Sequence, residues 1–146
     1  MGQLIIPDGA IVYVDTAPVI YTLEPHPDYS SRLQPLWEKL HANKITIVSS
    51  ELLWLETLVL PMKKQNQALI ELYTELLTDN IQLIPIDETI LKLAAQLRSM
   101  SSLKTPDAIH ASTAVNHGCT VFLTNDAGLR NVPRITTIVL KDLLSA

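Results

Sequence analysis

Ala10-Ile11-Val12-Tyr13-Val14-Asp15-Thr16-Ala17-Pro18 is the stretch that decides the fold. Its first five residues are apolar, and three of them are β-branched. They run from Gly9 to Asp15 without the alternation of a half-buried strand, so they read as a strand covered on both faces. The chain turns at once. Asp15-Thr16-Ala17-Pro18 reads as a helix start, with proline early in the helix, where its missing N–H removes no hydrogen bond.

The same alternation of short strand and amphipathic segment continues outward. Residues 45–48 (ITIV), 81–86, 119–123 and 135–140 read as further strands, and Pro85 marks the third as an edge or a strand end. Between them the spacing predicts a helix over 28–43, with Leu33, Leu36, Trp37 and Leu40 on one face and Pro35 drawing the start toward itself. Ser49-Ser50 offers a cap for a helix running to about Leu60, where Pro61 reads as a break. Residues 65–78 present Leu69, Leu72, Tyr73 and Leu76, and residues 87–100 turn Ile90, Leu91, Ala94 and Leu97 inward. A last helix starts at Thr105-Pro106 and stops at Gly118. Five strands separated by helices predict an α/β domain with a parallel sheet between two helical layers and right-handed crossovers. Such sheets bind ligands beyond the carboxyl ends of their strands.

Composition narrows the class. The 146 residues are 47% hydrophobic and 18% charged, against about 45–50% and about 25% for globular domains, so the core is well supplied and disorder is excluded. The expectation is one domain over 1–146 with its core over about 10–142. Cys119 is the only cysteine, which excludes an internal disulfide and leaves it as a small buried hydrophobe. The N-terminal residues carry Asp8 and no Lys or Arg, unlike a signal peptide, and no apolar run is long enough to span a membrane. A cytoplasmic protein is expected. The net charge is −4, so any nucleic-acid binding must rest on local basic patches or on a bound cation.

The chemistry sits at strand ends. The first strand runs into Asp15 and the fourth into Thr124-Asn125-Asp126, while Asp107 opens the helix after Thr105-Pro106. Glu56 lies in the helix after the second strand, with Leu52, Leu53, Val59 and Leu60 at three- and four-residue steps. A carboxylate in an apolar stripe needs a partner. Glu51 is its rival, in the first helical turn, where an acid is common. Converging carboxylates repel unless a cation neutralises them, and hard oxygen donors suit Mg²⁺ or Mn²⁺. Zinc is disfavoured, because there is no HExxH, no CxxC and no cluster of His and Cys. Each aspartate also has a plain structural use, as a turn, cap or helix-dipole residue. His110, one turn after Asp107, has two readings, a residue lining the site and, favoured over it, a packing or helix-surface residue. Lys63-Lys64 reads as a solvated face, and Trp37 and Trp54 as core.

These segments together resemble the PIN-domain nucleases, and especially the VapC-like toxins of bacterial toxin–antitoxin pairs. The matching pieces are 11–24 (IVYVDTAPVIYTLE), 48–61 (VSSELLWLETLVLP), 105–118 (TPDAIHASTAVNHG) and 121–133 (VFLTNDAGLRNVP), in the family's order and across nearly the whole chain. The resemblance implies a three-layer α/β/α domain with strand order 3-2-1-4-5. It implies an acidic quartet of Asp15, Glu56, Asp107 and Asp126, supported by Thr124 and Asn125 of the Thr-Asn-Asp turn. It implies cleavage of RNA with Mg²⁺ or Mn²⁺. Asp15 and Asp107 would be the principal ligands, Asp126 would serve a second cation or a bridging water, and Glu56 would orient water or complete a shell. A cognate antitoxin and a homodimer are implied as partners. Arg98, Lys104, Arg130 and Arg134 are candidates for the rim that meets RNA. Leu129 stands where many relatives have an aromatic residue, a difference expected to affect packing more than chemistry.

Three other readings compete. A non-catalytic RNA-binding or scaffold module on the same fold would leave the quartet unused, and a metal-dependent DNase would share it. A receiver-like phosphotransfer domain needs adjacent acids at the first strand end, but Thr16 follows Asp15, and it needs a lysine before the last strand ends, but Lys141 comes after.

Overall fold

The computed structural model describes residues 2–145. The chain runs β1 (Ile11–Val14), α1 (Thr16–Leu23), a 3₁₀ turn (Ser31–Leu33), α2 (Gln34–His41), β2 (Thr46–Ser50), α3 (Leu52–Lys63), α4 (Gln67–Asp79), β3 (Gln82–Ile84), α5 (Glu88–Ser99), α6 (Thr105–Asn116), β4 (Val121–Thr124), a 3₁₀ turn (Ala127–Leu129), β5 (Thr136–Val139) and a last 3₁₀ turn (Leu140–Leu144). All four strand pairings are parallel, and the order is β3-β2-β1-β4-β5. β3 is therefore an edge strand, as Pro85 suggested. No helix among the described residues is long and apolar enough to cross a membrane.

The two-residue period of the strands sorts the core. Val12, Val14, Ile47, Val121 and Leu123 pack with α1 to α4 through Val19, Leu36, Leu53, Tyr73 and Leu77. Tyr13, Val48 and Phe122 face the other way, against Ala111 and Ala114 of α6. Behind α6, α5 adds Ile90 and Ala94 against Ala108 and Ile109. Tyr13 and Phe122 are register partners on neighbouring strands, and their rings stack with centroids 5.1 Å apart. The layers are thus β1 to β5 in the middle, four helices on one face and two on the other. Cys119 is buried, and burial pushes its thiol up to about 12.

Several expected boundaries move. Pro35 sits in the first turn of α2, so residues 31–33 form a 3₁₀ turn rather than the start of a long helix. Pro61 does not end α3; the helix carries it to Lys63, because only the Thr57 carbonyl loses its usual donor so near the end. Glu51 occupies the cap position of α3, and Ser50 helps from one residue further back, its hydroxyl accepting from Leu52 N–H at 3.0 Å. Asn66 caps α4 and Asp87 caps α5 through their side chains. Leu72 and Leu91, expected inward, are exposed, while Leu77 turns inward in place of Leu72. Each helix packs on one layer, so only part of its apolar stripe is covered. α6 stops at Gly118, whose φ of 74° is the left-handed conformation that glycine adopts without a Cβ clash.

Candidate active site

β1 delivers Asp15 where the sheet ends. Its N–H still donates to the Leu123 carbonyl at 2.9 Å, so the backbone stays in the ladder while the side chain caps α1. Oδ1 accepts from Thr16 N–H at 2.8 Å, and Oδ2 accepts from the Thr124 hydroxyl at 2.7 Å. That hydroxyl in turn accepts from Asp126 N–H at 3.0 Å. Thr124 is fully buried and Asp15 is 7% exposed. One hydroxyl therefore joins the ends of β1 and β4 and sets the separation of two acids.

Asp126 makes the turn that follows. Its Oδ1 accepts from Gly128 N–H at 2.8 Å, and a Cβ at Gly128 would lie 3.1 Å from that oxygen. The turn use foreseen for Asp126 is thus present, and its side chain is exposed at the same sheet end. Asn125 supports the frame: Nδ2 donates to the Tyr21 hydroxyl at 3.2 Å, and Oδ1 accepts from Lys141 N–H at 2.8 Å.

Asp107 lies in the first turn of α6 and makes no side-chain hydrogen bond among the described residues. Burial, then the charges of Asp126 and Asp15, with a smaller push from Glu56, hold its carboxyl above the ordinary carboxylate range; His110 opposes them. Asp107 therefore feels the other three acids, although the four come from four elements spread over the sheet end.

Glu56 reaches the site from α3. Its Oε1 accepts from the Thr16 hydroxyl at 2.8 Å and meets His110 Nε2 at 2.6 Å. Burial alone would raise its pKa; the His110 hydrogen bond and charge, with the Thr16 hydrogen bond, bring it below the usual value instead. The stripe argument for Glu56 holds only in part. Leu53 is buried, but Val59 and Leu60 are exposed, and the Glu56 side chain itself is 25% exposed. What fixes Glu56 is its pairing. Glu51 is exposed and is engaged only through its backbone, with its N–H donating to the Ile84 carbonyl.

His110 is the residue that sequence reasoning undervalued. It is 1% exposed, and both ring nitrogens are engaged: Nδ1 with the Tyr13 hydroxyl at 2.6 Å and Nε2 with Glu56. Nε2 also lies 3.6 Å from Asp15 Oδ1 and 3.4 Å from the Thr16 hydroxyl. Burial lowers the imidazole pKa, but the Glu56 hydrogen bond and the charges of Asp15, Glu56 and Asp107 outweigh it and raise the value above the ordinary one. The signal was its position one helical turn after Asp107.

The basic candidates separate. Arg98 donates to the Leu103 carbonyl at 3.0 Å and to the Thr105 hydroxyl at 2.9 Å, bracing the loop that leads into Asp107. Lys104 is exposed at the cap of α6. Arg130 is tied to Asp142 by two contacts, with NH2 to Oδ1 at 2.8 Å. Arg134 lies just before β5, at the amino end of a parallel strand and thus at the opposite end of the sheet from the acids. The structure does not bring it to the site.

The donor set suits a hard divalent cation in kind, since all four acids are carboxylates, and in charge, since a cation would offset the negative charges that face Asp107. As the side chains stand, no group of three His, Cys, Asp or Glu among the described residues forms a ready ligand shell. Asp15, Glu56 and Asp126 each turn an oxygen toward a donor of the protein itself.

A family model described as the PIN domain matches residues 12–135. No curated protein matches the chain by sequence. Among solved structures, similar chains occur in VapBC2 from Rickettsia felis bound to a DNA fragment from their promoter (20% identity, 88% of this chain and 98% of that one, TM-score 0.66) and in a toxin–antitoxin complex from Klebsiella pneumoniae (21%, 88% and 97%, 0.65). A third is in FitAcB from Neisseria gonorrhoeae (19%, 91% and 100%, 0.62). At these identities the likeness is one of fold.

Proposed function

The chain belongs to the PIN-domain family, and from that premise we propose that it is a Mg²⁺- or Mn²⁺-dependent endoribonuclease, acting as the toxin of a toxin–antitoxin pair and built as a single nuclease domain. The observation that carries the reading is the gathering of four acids at one end of the sheet, where the charges of Asp126, Asp15 and Glu56 add to burial in holding the Asp107 carboxyl above the ordinary range. A structural use for each acid accounts for none of that repulsion. A function that brings a cation to the site accounts for all of it.

Asp15 and Asp107 are the residues to hold the cation, with Asp126 beside them. When bound, the cation would supply charge neutralisation at the phosphate and acidity for a water. The chain's own groups do the rest. Thr124 and Thr16 fix Asp15 from two sides, so the residue enters the reaction already oriented. Glu56 keeps one oxygen on Thr16 and His110, which leaves Oε2 to accept a proton from a water or to align it. Lys104, exposed at the cap of the helix that carries Asp107, would be a contact for the RNA backbone, and Arg98 braces the loop that carries it.

A protein partner and a dimer belong to the same proposal. Leu55, Val59, Leu60 and Met62 expose an apolar side of α3, which supports burial against another chain. The similar Klebsiella pneumoniae chain comes from a toxin–antitoxin complex, and an antitoxin is the partner we assign.

The test is cleavage of a labelled pool of structured RNA by the partner-free protein, with Mg²⁺ or Mn²⁺ and with EDTA, beside Asp15→Asn. Cation-dependent cleavage lost in the variant supports the proposal. A folded protein that binds the cation yet cleaves neither RNA nor DNA refutes the nuclease, and cleavage of DNA alone replaces the substrate. Tight RNA binding in EDTA counts against a cation-dependent site.

A further inference from the structure

We propose that His110, itself set by Tyr13, is a positioning residue that holds one carboxylate oxygen of Glu56 and leaves the other for the reaction; the proposal rests on the nuclease reading above. Four residues from two helices, one strand and one helix start form a continuous chain: Tyr13 Oη to His110 Nδ1 at 2.6 Å, His110 Nε2 to Glu56 Oε1 at 2.6 Å, and Thr16 Oγ1 to the same Glu56 oxygen at 2.8 Å. Both contacts fall on Oε1. No donor among the described residues reaches Oε2.

The direction of each hydrogen bond follows from the groups. A glutamate is ionised at neutral pH, so Glu56 accepts from both neighbours. Nε2 must then carry a proton whether the ring is neutral or charged. In the neutral ring Tyr13 donates to Nδ1 and fixes that tautomer. The geometry therefore works in either protonation state. Burial adds weight: His110 is 1% exposed and Tyr13 is fully buried, so neither has water to fall back on. The elements repeat a pattern. β1 supplies Asp15 and, two residues earlier on the same face, Tyr13. α6 supplies Asp107 and, one turn later, His110. β1 and α6 thus each lead to an acid and also supply a member of the frame that aims Glu56.

A merely structural histidine would pack under the site without regard to Glu56, and two readouts separate the cases. In the metal-free protein, ¹⁵N NMR of the ring should place a proton on Nε2 in a strong hydrogen bond. Glu56→Gln should shift that proton upfield, and Tyr13→Phe should perturb Nδ1. A ring proton indifferent to Glu56→Gln overturns the proposal. In Mn²⁺-dependent cleavage, His110→Ala should lower kcat by about 10- to 100-fold with KM within about threefold. His110→Gln, which keeps an amide donor at the place of Nε2, should recover most of the loss. His110→Ala with Glu56→Gln should be no slower than Glu56→Gln alone. Multiplying losses, an unchanged kcat, or no recovery by glutamine overturns the proposal. If His110→Ala does not fold, Tyr13→Phe carries the kinetic comparison, with a loss of several-fold that vanishes in the Glu56→Gln background. If the folded wild type cleaves nothing, the nuclease reading fails and the ring-nitrogen experiment alone decides the Glu56 tie.

Discussion

Replacing Thr124 by valine removes one oxygen and keeps the shape. That oxygen makes two hydrogen bonds at once, donating to Asp15 Oδ2 at 2.7 Å and accepting from Asp126 N–H at 3.0 Å, at a fully buried position. The first bond is charge-assisted, a class worth about 1.5–3 kcal/mol, and the buried carboxylate oxygen it served is left without a donor. The second loss is smaller, because Asp126 is exposed and water can replace the hydroxyl there. Together they predict destabilisation of about 3 kcal/mol in urea at pH 7 without divalent cation, and a fall of about 10 °C in Tm. Thr124→Ser should recover most of it, since the hydroxyl rather than the methyl group carries the effect. Under the nuclease reading the valine variant also loses at least tenfold in cleavage, because Asp15 is free to leave the orientation set by β4. A valine variant within about 0.5 kcal/mol of wild type, or a serine variant no better than valine, refutes the reasoning that one hydroxyl couples the two strand ends.

Asp107→Asn should raise the stability of the metal-free protein at pH 7 by less than about 1 kcal/mol after allowance for solvent screening, while abolishing Mn²⁺ binding in calorimetry. The sign follows from its raised pKa: the group favours the fold while protonated, and that contribution is lost as pH rises from about 4 through the folded value, so the variant should flatten the stability profile there. His110 also has a raised pKa, so its contribution is complete below about pH 6.5 and is lost as pH rises through the folded value. Urea titrations across pH 5–9 should show this loss in wild type and not in His110→Gln. Mg²⁺ or Mn²⁺ at about 100 times its dissociation constant should stabilise the protein by about 2.7 kcal/mol, EDTA should reverse it, and Asp15→Asn should show no such shift.

Much of the fold was legible because its signals are local. A short run rich in β-branched residues before Asp15, with similar runs over 45–48 and 119–123, reads as strands covered on both faces, and the intervening stripes supply the cover. The acids at the ends of β1 and β4 are equally local, since a parallel sheet places every strand's carboxyl end on one side. Local signals also misled. A stripe of leucines says which face of a helix is apolar but not how much of it a neighbour covers, which is why Leu72 and Leu91 are exposed. Proline at position 61 reads as a break until the helix is seen to end two residues later.

By itself the sequence determined the element order, the parallel α/β class and the acids at the sheet end, for these follow from periodicity and turn chemistry within a dozen residues. Only the tertiary structure decided how the acids are held. Glu56 and His110 are 54 residues apart, on helices from opposite layers, and they meet because α3 and α6 both approach the same end of β1. Arg134 fell out of the site for the same kind of reason, since a strand has two ends and only the assembled sheet says which one the acids share. A hydrogen bond between distant residues leaves no periodic trace in a chain; it exists only once packing has brought its two partners to within 3 Å.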